Sequence, residues 1–231
     1  MDADGLRAAL ADARSRIEHA CLRAGRDPAG VGILPVTKTV SAERLRVALS
    51  LGLTTFGENR VQEADTKAAA LPGASWQMVG HLQSNKTARA VDLFEAIQSV
   101  DSVELAERLA RQATAAGRAP FPVYLQVNVD ADPAKAGFAP RDLTGSIARL
   151  VSLDGLEVRG LMTVGRLVAT PEEARPTFRA LRELSEQVRA TEARVGAGLS
   201  MGMSDDFEIA VEEGATLVRL GRVLFGERPR A

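Results

Sequence analysis

Ile33-Leu34-Pro35-Val36-Thr37-Lys38 is the stretch on which the fold turns. A short apolar, partly β-branched run preceded by Gly32 and followed by Thr39-Val40-Ser41 reads as a buried strand that stops at a loop. It ends on a lysine, and lysines are scarce here. Among 29 basic residues only four are lysines, the others being Lys67, Lys86 and Lys135. Arginine carries charge equally well, but its guanidinium stays protonated and is no nucleophile. A lysine amine desolvated in a pocket loses its proton and attacks an aldehyde to give a Schiff base. A lysine that simply caps a strand end is the plain alternative, and position in the fold must separate the two.

Working outward, similar runs recur near 54–57, 76–79, 93–98, 122–129, 157–163, 198–201 and 216–220, which with 32–37 makes eight candidate strands. Amphipathic stretches lie between them. Ser41 precedes Leu45, Ala48 and Leu49; Asp101 or Ser102 precedes Leu105 and Leu109 in a helix that stops at Gly117; Pro171 opens a long helix to about residue 190. A further helix over 6–24, stopping at Gly25, comes before the first strand. Alternating strands and helices imply a parallel sheet, and eight alternations predict a single (β/α)8 TIM barrel over residues 1–231 with an extra N-terminal helix. The other candidate, a doubly wound open sheet, lacks a Gly-rich fingerprint after its first strand.

Composition bounds the function classes. At 231 residues and 45% hydrophobic the chain has material for one substantial core, and a net charge of −1 argues against a basic nucleic-acid surface. No run is long enough to span a bilayer, no signal-peptide segment opens the chain, and the lone Cys21 forms no internal disulfide, so a cytoplasmic protein is predicted. Cys21 continues the spacing of Leu6, Leu10, Ala13 and Ile17 and reads as helix packing.

The unusual residues cluster just after the proposed strands, where a barrel builds its site. They include Lys38, Glu58 and Asn59, His81 to Lys86, Ser200 to Asp206, and Arg219 to Arg222. Loops after strands seven and eight frequently bind phosphate, so Gly202 and Gly221 read as close-approach points for an anion and Ser200 as a hydroxyl donor to it. Ser204 reads first as a cap for a helix over 205–213. Helix starts account for Glu58, Asp205 and Asp206 without catalysis. A lone His81 predicts no metal site, and Trp76 and Tyr124 read as packing. No catalytic residue is assigned.

The segments VTKT (36–39), FGENRVQE (56–63), VGHLQSNK (79–86), VRGLMTV (158–164), LSMGMSDDFEIAV (199–211) and VRLGRVLFG (218–226) resemble the YggS/PROSC family, the pyridoxal phosphate homeostasis proteins. The resemblance implies a fold-type III, alanine-racemase-like barrel in which Lys38 holds pyridoxal 5′-phosphate (PLP) as an internal aldimine. It also implies that Ser200 and Gly221 lie near the phosphate, that Arg219 faces the pyridine nitrogen, and that Asn59 faces the cofactor. Arg222 stands where threonine is frequent and is expected to pair with the phosphate. The implied role is PLP homeostasis and amino-acid and keto-acid balance, by a monomer with apo-PLP enzymes as recipients. An amino-acid racemase is the alternative; it needs a second base that the sole Tyr124, within strand five, is not expected to supply. Whether Lys86 or Lys135 forms a second cofactor site stays open.

Overall fold

Eight short strands alternate with helices in the computed structural model, which describes residues 3–226. The strands are β1 (Gly32–Pro35), β2 (Thr55–Glu58), β3 (Ser75–Met78), β4 (Ala96–Val100), β5 (Phe121–Gln126), β6 (Leu156–Met162), β7 (Gly198–Ser200) and β8 (Leu217–Leu220). All pair in parallel in the order β1-β8-β7-β6-β5-β4-β3-β2. The seam between β1 and β2 is closed by a Val36–Gly57 bridge and by the Thr37 N–H donating to the Gly57 carbonyl at 2.9 Å. This is the expected barrel.

The helices are α1 (Ala3–Ala24), α2 (Ala42–Ser50), α3 (Val61–Ala70), α4 (Thr87–Leu93), α5 (Val103–Ala115), α6 (Pro140–Val151), α7 (Arg175–Thr191), α8 (Phe207–Glu212) and α9 (Arg222–Phe225). Local signals explain several ends. Ser41 accepts the Arg44 N–H at the start of α2 and Ser102 the Leu105 N–H at the start of α5. Gly25 and Gly117, which follow α1 and α5, sit at φ 64° and 67°, a conformation that costs glycine little. Helix α1 buries Leu6, Leu10, Ala13, Ile17 and Cys21, and burial pushes the Cys21 thiol up, away from reactivity. Among the described residues no helix is long and apolar enough to cross a membrane.

Three boundaries differ from expectation. The fourth strand begins at Ala96 because Leu93 closes α4 and Phe94 caps it, so apolar helix end and apolar strand run together without a polar break. The stretch opened by Pro171 is first a 3-10 turn, Pro171–Ala174, and α7 restarts with Pro176 in its first turn, where the missing N–H has no helical partner. Helix α8 begins at Phe207, because the Asp206 carboxylate accepts the Met203 N–H at 2.6 Å and closes a turn over 203–206.

An ion cluster ties α7 to the end of α8. Glu213, buried, takes Arg175, Arg179 and Arg182 at 3.0, 3.2 and 3.4 Å, and Glu212 takes Arg175 and Arg23 at 2.6 and 2.7 Å. Burial pushes Glu213 up, but Arg179 and Arg175 outweigh it and hold the carboxyl below the ordinary 4.5. An acid with a depressed folded pKa contributes stability that is present above its unfolded value and lost as pH falls through the folded one. Glu213→Gln is therefore expected to cost about 1 kcal/mol at neutral pH. That difference should vanish well below pH 4.5, when urea midpoints of parent and variant are compared.

Candidate functional site

The loops after β1, β2, β3, β6, β7 and β8 meet around a cavity of about 250 Å³. Lys38, Asn59, Arg219, Gly221 and Arg222 line it together with Val36, Met203, Ser204, Asp205 and the loop residues Val164 and Leu167. Five of the six residues singled out in the sequence are thus brought to one place. Strand alternation explains the first: Val36 and Lys38 reach the cavity, while Thr37 between them is wholly buried and turns its hydroxyl to Glu58 at the end of β2. The lining carries three cations, Lys38, Arg219 and Arg222, against one carboxylate, Asp205. Such a balance suits an anionic ligand.

Ser200, the sixth, is not on the wall. It is fully buried; its hydroxyl donates to Gln98 Oε1 at 2.6 Å and accepts from Arg219 at 2.8 Å. Strands β4 and β7 are not neighbours in the sheet, so the Gln98–Ser200 bond crosses the barrel interior, and Gln98 donates onward to Gln77 at 2.6 Å. In this arrangement the Ser200 hydroxyl proton goes to Gln98. Ser200 orients Arg219, whose guanidinium also donates to the carbonyls of Ser200 and Thr163, both at 2.7 Å. Complete burial pushes Arg219 down to about 10, with Asp206 opposing, so it stays charged at neutral pH.

Gly202 and Ser204 also differ from expectation. Gly202 is needed for shape: its φ is 91° and a Cβ there would meet that of Ala210 at 2.5 Å, while its carbonyl accepts the Arg219 N–H at 3.0 Å. Ser204 does not cap α8; its hydroxyl accepts the Val223 N–H at 3.3 Å, joining the loop after β7 to the turn after β8. Arg222 pairs with Asp205 at the rim.

A second group of residues behind β1 was not legible in the sequence. Glu58, read there as a helix-start acid, is the last residue of β2 and fully buried, because the strand runs through it and α3 starts only at Val61. It accepts the Thr37 hydroxyl at 2.5 Å and the Lys67 ammonium at 2.6 Å. Burial pushes the Glu58 carboxyl up, against the pull of Lys67 and Thr37. Glu63 takes Lys67 at 2.8 Å and the Thr39 N–H at 2.7 Å; burial pushes it up, but Lys67 and Thr39 bring it below the ordinary value. Thr39 itself stands at φ 66°, a left-handed conformation that costs a β-branched residue about 1–3 kcal/mol.

Other candidates lie elsewhere. His81 is exposed, pairs with Asp101 at 3.1 Å, and shares an adjoining hollow of about 570 Å³ with Arg60, Lys86 and Asn59. Lys135 donates to the Gly165 carbonyl at 2.5 Å and so steadies the loop that carries Leu167 to the cavity. Tyr124 packs against Gly198, away from the cavity lining, and burial pushes its hydroxyl up. Among the described residues no group of His, Cys, Asp and Glu could hold a metal ion.

Known proteins share this barrel. The alanine racemase N-terminal domain family matches residues 13–229. The pyridoxal phosphate homeostasis protein of Pseudomonas aeruginosa is 43% identical over 222 residues, covering 95% of this chain and 94% of that protein. PipY of Synechococcus elongatus, solved with PLP bound, superposes with a TM-score of 0.81 at 40% identity over 92% of this chain and 99% of that one. An alanine racemase of Clostridium difficile shares the fold alone, at 15% identity and a TM-score of 0.75, over 98% of this chain and 60% of that one. A lysine at the mouth of an eight-stranded parallel barrel, a buried arginine beside it, and these likenesses over nearly the whole length lead to one conclusion: the chain belongs to the alanine racemase N-terminal domain family, among the pyridoxal phosphate homeostasis proteins.

Proposed function

We propose that this chain binds PLP through a Schiff base on Lys38 and serves PLP homeostasis, and with it amino-acid and keto-acid balance, as a carrier rather than an enzyme. The observation that carries the reading is the convergence of Lys38, Arg219, Gly221 and Arg222 on one cavity with an excess of positive charge. The donor set fits the group: an amine for an aldehyde, a guanidinium at the rim and a glycine turn for a phosphate. The relatives named for PLP homeostasis, and PipY with PLP bound, support it.

Bound PLP supplies an electrophilic aldehyde and, when its ring nitrogen is protonated, an electron sink. The residues here favour retention over turnover. Arg219, charged and held by Ser200 and Thr163, disfavours a proton on a ring nitrogen that faces it. Gly221 lets the backbone approach the phosphate, Arg222 offers charge at the rim, and Asn59 supplies a polar contact. Racemisation needs a base on each face of the substrate, and Tyr124 is not on the cavity wall. The reading extends to one barrel domain acting as a cytoplasmic monomer that hands PLP to apo-enzymes. Among the described residues only Leu22 and Leu167 are large exposed hydrophobics, which leaves little apolar surface for a subunit interface.

Absorption spectra before and after borohydride, with peptide mapping of the modified lysine, test the binding. A reducible chromophore mapped to Lys38 is expected; its absence, or a label on another lysine, overturns the assignment. For the carrier role, holo-protein is given L- or D-alanine in deuterated water. Exchange of the α-proton at enzyme-like rates, roughly 1–10³ per second, would establish the racemase instead. Slow exchange, with transfer to an apo-enzyme faster than spontaneous release, is the expected result.

A further inference from the structure

We propose that Lys67 is a positioning residue for Lys38, acting through a clamp on the two threonines that flank it; the proposal rests on Lys38 being the residue that carries PLP. The three protons of the Lys67 ammonium have three acceptors: the Thr37 carbonyl at 2.6 Å, Glu58 at 2.6 Å and Glu63 at 2.8 Å. The same two carboxylates take the Thr37 hydroxyl and the Thr39 N–H. One buried cation therefore organises the backbone immediately before and immediately after Lys38.

A purely structural staple would leave two features unexplained. Lysine and glutamate are among the residues least often buried, yet Lys67 is only 7% exposed and its partner Glu58 is fully buried, where two apolar side chains could pack at no desolvation cost. Thr39 also keeps a left-handed conformation that a β-branched residue leaves unless something holds it, and the Glu63 hydrogen bond holds it together with the turn closed by the Val40 N–H on the Thr37 carbonyl at 2.9 Å. Because alternation turns Thr37 outward to the clamp, it turns Lys38 inward to the cavity. Release of the clamp lets residue 39 relax and swings the stem of Lys38. Misplacement of a reacting group by about 1 Å costs on the order of 10²-fold in rate.

The test uses Lys67→Met, which keeps length and loses charge, and Glu63→Ala, which removes the acceptor of the Thr39 N–H and one of the three acceptors of Lys67 from a part-exposed position. Amide hydrogen exchange is read first, in protein without PLP. Thr39 exchange should rise by at least about 10-fold in each variant while β6 amides keep the parent's protection. With PLP added, formation of the borohydride-reducible linkage should slow by about 10²-fold, with noncovalent binding retained. Thr39 exchange and linkage rate both equal to the parent's in a folded variant would overturn the proposal, as would losses that only track the melting temperature. If Lys67→Met does not fold, Glu63→Ala decides alone. Should the parent form no linkage, the PLP reading falls, and Thr39 exchange still judges the clamp.

Discussion

Lys38→Ala should yield a folded chain from which the borohydride-reducible chromophore is lost entirely. Lys38 lies half-buried at the cavity and outside the apolar core, so its truncation removes no core packing; a stability change of about 1 kcal/mol or less is expected. The covalent link, by contrast, has no substitute. Lys67 is committed to three acceptors behind β1, Lys86 faces the adjoining hollow, and Lys135 is tied to the Gly165 carbonyl. Noncovalent binding should survive in part through Gly221 and Arg222. Titration with PLP, a melting curve and peptide mapping after reduction check the three expectations separately. An undiminished chromophore mapped to Lys86 or Lys135 would show that the family likeness had been carried onto the wrong lysine.

Substitution of Arg219 has the next largest effect, and its sign depends on the replacement. Arg219→Glu puts a buried carboxylate against the carbonyls of Ser200 and Thr163 and beside a Ser200 hydroxyl that already donates to Gln98. Loss of a buried, hydrogen-bonded charge is worth about 3–5 kcal/mol, so this variant should be severely destabilised. Arg219→Gln keeps an amide donor within the same pocket and is the readable variant, with a cost of about 1–3 kcal/mol. In it, a ring nitrogen no longer faced by a cation gains a proton more readily. The chromophore's pH response should shift upward, and exchange of the α-proton of alanine should rise above the parent's. A titration identical to the parent's would remove Arg219 from the ring and leave Arg222 as the arginine next to PLP.

Much of the fold was legible because its signals are local. The caps Ser41 and Ser102 and the turn glycines Gly25 and Gly117 act within one turn of their own helices, and the apolar runs that make the strands are contiguous. The fourth strand slipped by three residues for the same reason: Leu93 and Phe94 continue an apolar run across a helix end, and nothing local divides it.

The residues at the mouth could be named in advance because each lies at or shortly after the C-terminal end of a strand, and a barrel delivers every such end to one side. By itself, then, the sequence determined the alternation of elements, the strand-end lysine and the loops that meet around it. The tertiary structure decided which polar side chains face each other. Glu63 and Lys67 are four apart on α3, a spacing that a sequence reader assigns to a solvated helix pair; here Lys67 is buried, Glu63 is half-buried, and the pair reaches Thr37 and Thr39. Ser200 meets Gln98, 102 residues away, across the barrel. Both follow from closure of the sheet, which places non-adjacent strands opposite one another and brings side chains of α3, packed on β2 and β3, to the segment after β1. No periodicity along the chain records that distance, because it is set by strand tilt and packing rather than by neighbours in sequence.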